Sequence, residues 1–253
     1  MKIDFGKACG ELFSTEKKWM TVLGMAVCFL IPAIGPIVLI GYMFRRFARE
    51  RRGKPVEDFD FNHFVDYLMI GLWPFLSTLV LSLFLMPIIV VAMVPFFAAT
   101  AFEADNQPLM WMLIGVGMLL YLLAIIAYML FSFPVMLRSG LMMGFKVGFC
   151  WSFITSFIRK VGWSLILYYF LLVLLAFPLS LLGSLALLVG VYVVMAWVQL
   201  TMMSLVFQHY DLYLERGGES IEFAEELVKE YGAPPVPRRQ GGSGSAPPGL
   251  PAS

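Results

Sequence analysis

Four stretches of this chain carry no side chain that is fully ionised at neutral pH: between Lys18 and Arg45, between Asp66 and Glu103, between Asp105 and Arg138, and between Lys160 and Asp211. These gaps constrain the fold more than any other feature. In hydrocarbon a segment must satisfy its backbone polar groups internally, as a helix does, and about 20 apolar residues cross the roughly 30 Å layer. Of 253 residues, 60% are hydrophobic and 14% charged, against roughly 25% charged in soluble domains. A water-soluble core is excluded, and an all-α polytopic integral membrane protein is predicted.

Leu109 to Val135 reads as one spanning helix. Trp163 to Val206 has 44 residues, enough for two spans, and Pro178, Gly183 and Ser184 supply the breaker cluster for a tight turn. Tyr67 to Phe102 holds 36 residues with Pro74, Pro87 and Pro95. A straight helix of that size would be roughly 54 Å long, so one kinked span starting at the interface is predicted. The block from Trp19 to Phe44 is different, because Pro32, Gly35 and Pro36 interrupt its centre. Each half has about 12 residues and reaches roughly 18 Å, too short to cross.

Lys and Arg concentrate on the cytoplasmic side of membrane proteins. With residues 45–66 placed inside, fourteen of the eighteen Lys and Arg residues fall in inside segments and the two outer loops hold none; the other four are Lys2, Lys7, Lys17 and Lys18. A single span over 19–44 would export those four, whereas a re-entrant hairpin turning at Pro32, Gly35 and Pro36 keeps all inside. The expected architecture is therefore four full transmembrane helices plus this hairpin, with five full spans as the alternative.

Residues 1–18 form an amphipathic segment, with Phe5, Ala8, Cys9, Leu12 and Phe13 on one face. Residues 145–160, within a membrane helical domain over 67–210, show a similar face of Val147, Cys150, Trp151, Ile154, Phe157 and Ile158. Both are read as in-plane interfacial helices with Trp19, Trp151 and Trp163 as anchors, or alternatively as helices packed on the end of the bundle. In the 211–232 segment, Ser220 to Tyr231 fits a soluble helix capped by Ser220 and stopped by Gly232. The Pro/Gly/Ser tail at 233–253 is expected to be disordered.

Chemistry is sparse. Arg45, Arg46, Arg49, Arg51, Arg52 and Lys54 form a dense basic run in the 45–66 loop, suited to anionic lipid headgroups or simply to fixing topology. His63 and His209 read as polar contacts near the interface, and Cys9, Cys28 and Cys150 as packing residues. Asp58 to Asn62 opens like a calcium loop, but His63 and Met69 stand where glycine and glutamate are required. No catalytic, cofactor or metal site is expected, nor is nucleic-acid binding.

Three stretches, IPAIGPIVLIGYMFRRFAR from Ile31, FDFNHFVDYLMIGL from Phe59 and GFKVGFCWSFITSFIRK from Gly144, together with QLTMMSLVFQHYDLY from Gln199, resemble the bacterial and archaeal membrane family called domain of unknown function 4013, over roughly residues 1 to 215. The resemblance implies a multi-helix protein of the prokaryotic inner membrane and supplies no activity. The absence of charge in the blocks, small residues such as Gly71, Gly115, Gly117, Gly183 and Gly190, and the polar tail lead to an expected role as a non-catalytic subunit or scaffold. Its partners would be membrane lipids, further copies of itself or other proteins, with the C-terminus cytoplasmic. The alternative is a lipid or small-molecule transporter that uses the broken hairpin.

Overall fold

The computed structural model describes residues 3–10, 18–31, 34–54, 58–99, 107–185 and 189–227. Among these, regular structure is helical throughout: α1 (Phe5–Gly10), α2 (Lys18–Cys28), α3 (Ile34–Arg51), α4 (Phe64–Ala99), α5 (Gln107–Leu141), α6 (Phe145–Gly148), α7 (Trp151–Leu185) and α8 (Val189–Glu215). Short 3-10 turns lie at Phe61–His63 and Glu225–Leu227. Four helices are long and apolar enough to cross a membrane, Phe61–Ala99, Gln107–Leu141, Trp151–Leu185 and Gly190–Glu215. They are the four spans expected from the uncharged gaps, and the chain is a multi-pass helical membrane protein.

Several hydroxyls in the spans bond their helix's own carbonyls, which lowers the cost of carrying them in an apolar layer. Thr78 donates to the carbonyls of Pro74 and Phe75, both at 2.9 Å, Ser82 to Leu79 at 2.7 Å and Ser132 to Met129 at 3.2 Å. The three prolines of α4 sit inside one helix.

The spans pair as two hairpins. In the α4/α5 pair Gly117 lies against the Phe96 ring, and in the α7/α8 pair Gly183 lies against the backbone of Gly190. The hairpins meet where α5 contacts α7, with Phe131 stacked on Trp151 at 5.7 Å, Phe133 against Tyr169 at 5.9 Å and Arg138 over Phe153 at 5.2 Å. Past this junction burial thins out: α4 has only Ala92 and Ala99 buried after Ser77, and α5 only Gly117 before Met129. The main core fills the junction and the charged end beside it, built on Tyr42, Phe44, Tyr67, Phe157, Phe207 and Tyr213.

The first hydrophobic block folds as two helices, α2 and α3, joined through a bend at Phe29–Ile31. Antiparallel to α4, α3 crosses it at paired glycines. A methyl at Gly41 would overlap the Tyr67 carbonyl and stand 2.8 Å from the Gly71 nitrogen, and one at Gly71 would overlap the Ile37 carbonyl. Glycine alone permits so close a backbone approach. From this crossing α3 continues only about 10 Å to Ile34, while α4 runs about 42 Å to Ala99. Gly24 of α2 faces the rings of Phe59 and Phe61, which precede α4.

Several expectations are corrected. Gly35 and Pro36 do not form the turn but lie in the first turn of α3, where proline's missing N–H is harmless; a methyl at Gly35 would stand 2.9 Å from the Phe29 nitrogen. Pro32 and the side chain of Trp19 lie outside the described residues. The breakers Pro178 and Gly183 do not end α7, which runs on to Leu185. The interfacial helix expected at 145–160 is split: α6 stops at Gly148, and Trp151 onward is the start of the continuous α7. Much of its apolar face is buried in the protein, with Phe153 and Phe157 fully enclosed and Ile154 buried, while Trp151 stays exposed. The helix expected from Ser220 is also replaced. Residues 220–224 are non-helical because their backbone bonds elsewhere, Ile221 N–H to the Tyr210 hydroxyl at 2.7 Å and Ala224 N–H to the Leu141 carbonyl at 2.9 Å. Glu225–Leu227 form the 3-10 turn, and residues 228–232 and the 233–253 tail lie outside the described residues.

Candidate functional site

Polar chemistry gathers at one end of the molecule, where α3, α8 and α1 come together. The α3 basic run divides by helical periodicity. Arg45 and Arg49, one turn apart, face inward with Tyr42 and Tyr67 and are only 4% and 3% exposed. Lipid headgroups cannot reach these two, so the expectation of a uniform lipid-binding run is corrected at them: the helix turns that face into the core. Arg46 is half-buried, Lys54 likewise, and Arg51 and Arg52 are exposed. Gly53 has φ of +65°, the left-handed conformation that ends the helix after Arg51.

The opposite face of α3 borders an open recess of about 150 Å³. Its charged lining is Asp4 and Lys7 from α1 and its approach, Arg46, Glu50 and Arg51 from α3, and Asp211 from α8. Ser204 and Gln208 add neutral polar groups, while Met43, Phe47 and Phe207 form the apolar wall. Arg51 pairs with Asp211 and lies over the Phe47 ring at 5.3 Å. Phe47 in turn stacks on Phe207 with centroids 4.2 Å apart and planes 5° from parallel.

α1 supplies one wall of the recess because it packs along α8. The Asp4 N–H donates to Gln208 Oε1 at 2.8 Å, and Gln208 Nε2 donates back to the Asp4 carbonyl at 3.1 Å. Five residues on, the Trp197 indole N–H donates to the Cys9 carbonyl at 3.0 Å. Ala8 is buried against Leu172 and Leu205. These bonds extend over about 16 Å of α8, from Gln208 to Trp197. The Asp4 carboxylate accepts the Lys7 N–H at 2.8 Å and so fixes the start of α1.

His209 is fully buried on the side of α8 that faces α7, against Ser164 and Tyr168. Its Nδ1 lies 2.7 Å from the Leu205 carbonyl, so that nitrogen carries the proton and Nε2 accepts from the Ser164 hydroxyl at 3.1 Å. His63 lies elsewhere, 3.7 Å from Asp66. Trp151 and Trp163 are 65% and 82% exposed. They stand about 18 Å apart along α7, so a headgroup plane normal to that helix takes only one of them. Cys150, just before α7, has its thiol pKa held below the ordinary value by the Ser152 hydroxyl 3.2 Å away, then by the Phe153 backbone N–H and the Arg138 charge. Burial instead raises Cys9.

Sequence reasoning missed the recess. The available signal was a polar stripe in an apolar block, Ser204, Gln208 and Asp211 at i, i+4 and i+7. Nothing in the sequence says that α1 would lie against it.

Four spans in two hairpins, a two-helix element packed at one end and a polar recess beside it define a polytopic helical membrane protein. The chain belongs to the family described as Protein of unknown function (DUF4013), whose family model matches residues 24–189. The match runs from α2 to the first residue of α8 and so leaves out α1 and most of α8. No curated protein and no solved structure matches the chain.

Proposed function

We propose that this protein is a non-catalytic subunit of the prokaryotic cytoplasmic membrane that assembles with itself or with other proteins through its two hairpins. One observation carries the reading: beyond the α5/α7 junction the hairpins keep large exposed apolar surfaces and little interior burial, as with Leu83, Phe84 and Val91 on α4 and Phe177, Leu181 and Leu182 on α7. Helices associate in lipid through close packing at small residues, and Gly115 presents an open position with no neighbour within 4 Å among the described residues. In this reading the charged end is cytoplasmic and α2–α3 is a re-entrant hairpin, supported by the distribution of Lys and Arg and by the short reach of α3 along α4. Purification in mild detergent, with mass measurement of intact particles, tests it. A stable oligomer or a stoichiometric partner is expected, and a monodisperse monomer without companions would sink the proposal.

A second reading is a lipid or small-molecule transporter. It draws on α3 stopping about 30 Å short of the far end of α4, which leaves space between the hairpins above a broken helix pair. Flux and lipid-scrambling assays in proteoliposomes separate the two, since an assembly subunit is inert in both.

A further inference from the structure

We propose that the recess between α1, α3 and α8 holds the zwitterionic headgroup of a phosphoethanolamine lipid, the phosphate against Lys7 and Arg46 and the ammonium against Asp4 and Glu50. The charge balance leads there. A basic run read from sequence suggests an anionic lipid, but the folded recess sets Asp4, Glu50 and Asp211 among Lys7, Arg46 and Arg51. With Asp211 paired to Arg51, a ligand carrying only negative charge still meets the carboxylates of Asp4 and Glu50, whereas a zwitterion finds a partner for each end.

Size and place narrow the class. A volume of about 150 Å³ is below the roughly 300–1,000 Å³ of sites that enclose a drug-sized molecule, and it suits a headgroup whose chains remain outside. The recess lies near the charged end of α8, a candidate span, the level at which lipid headgroups would stand. A primary ammonium has three N–H donors for the carboxylates of Asp4 and Glu50. A choline has none and is held by aromatic cages, while Phe47 already stacks on Phe207 and carries Arg51 over its ring.

The test uses the full chain in mild detergent, titrated with phosphatidylethanolamine, phosphatidylcholine or phosphatidylglycerol and read by native mass spectrometry. Phosphatidylethanolamine is expected to bind at least fivefold more tightly than either of the others. Lys7→Gln and Glu50→Gln change exposed residues and should each remove that preference, and Glu50→Lys should move it toward phosphatidylglycerol. Thermal denaturation of each variant checks folding, and competition with free phosphoethanolamine on the unaltered protein gives a readout that needs no variant. Weak competition, at millimolar levels only, supports the lipid source; competition as strong as that of the lipid overturns it in favour of a soluble zwitterion. Equal binding of the three lipids, or an unchanged preference in folded Lys7→Gln and Glu50→Gln proteins, overturns the proposal outright.

Discussion

Gly41 and Gly71 do more for this fold than their lack of a side chain suggests. Each sits where a methyl would enter the backbone of the other helix, so Gly41→Ala or Gly71→Ala must push α3 from α4. Overpacking of this kind costs about 1–3 kcal/mol, and a lowered melting temperature in detergent is expected for both. Gly115→Ala is the matched control. Its methyl meets nothing within 4 Å, and alanine in a helix interior is favoured by roughly 0.5–1 kcal/mol, so stability should hold or rise slightly. If Gly41→Ala melts with the parent protein, the close crossing is wrong. Charge at the residue scale is checked by thiol chemistry. With its pKa lowered, Cys150 forms thiolate at a lower pH than Cys9, whose pKa is raised. A maleimide added at rising pH should modify Cys150 first, and Ser152→Ala should shift its reactivity curve to higher pH; mapping by peptide mass spectrometry reads both.

Elements obey length and neighbours more than local breakers. Pro178 and Gly183 looked like a turn, yet α7 continues through them because Gly183 is needed against Gly190 and the proline can be carried in a span. The α2–α3 pair did break near its centre, at Phe29–Ile31 and ahead of Gly35 and Pro36, with apolar halves too short to cross. Its topology has a direct test. With the three natural cysteines replaced, a single cysteine at Ser14 should resist a membrane-impermeant thiol reagent applied to intact cells and react after lysis. Labelling from outside would replace the hairpin with a fifth span.

On the scale of the whole molecule, two hairpins joined at one end are expected to move as levers about the α5/α7 junction. Spin labels at Leu120 on α5 and Leu174 on α7, both exposed, should give a broad distance distribution in the isolated protein. Labels at Lys146 and Arg159, exposed positions beside the junction, should give a narrow one. Assembly through the hairpins would sharpen the distal distribution, and a distal distribution already as narrow as the basal one would show that the hairpins are held without a partner.

The sequence by itself determined the number and order of the spans, the break in the first block and the end where charge collects. These follow from local quantities: uncharged length against bilayer thickness, proline's missing donor, and the cost of carrying Lys or Arg through lipid. Tertiary structure alone decided that Arg45 and Arg49 turn inward while Arg46 lines the recess and Arg51 pairs with Asp211, that α1 lies along α8, and that residues 151–160 belong to a span-length helix. Hydrophobic periodicity marks a face as buried but does not say whether protein or lipid covers it. The recess depends on Asp4, Glu50 and Asp211 arriving together from distant parts of the chain, and no spacing rule connects them.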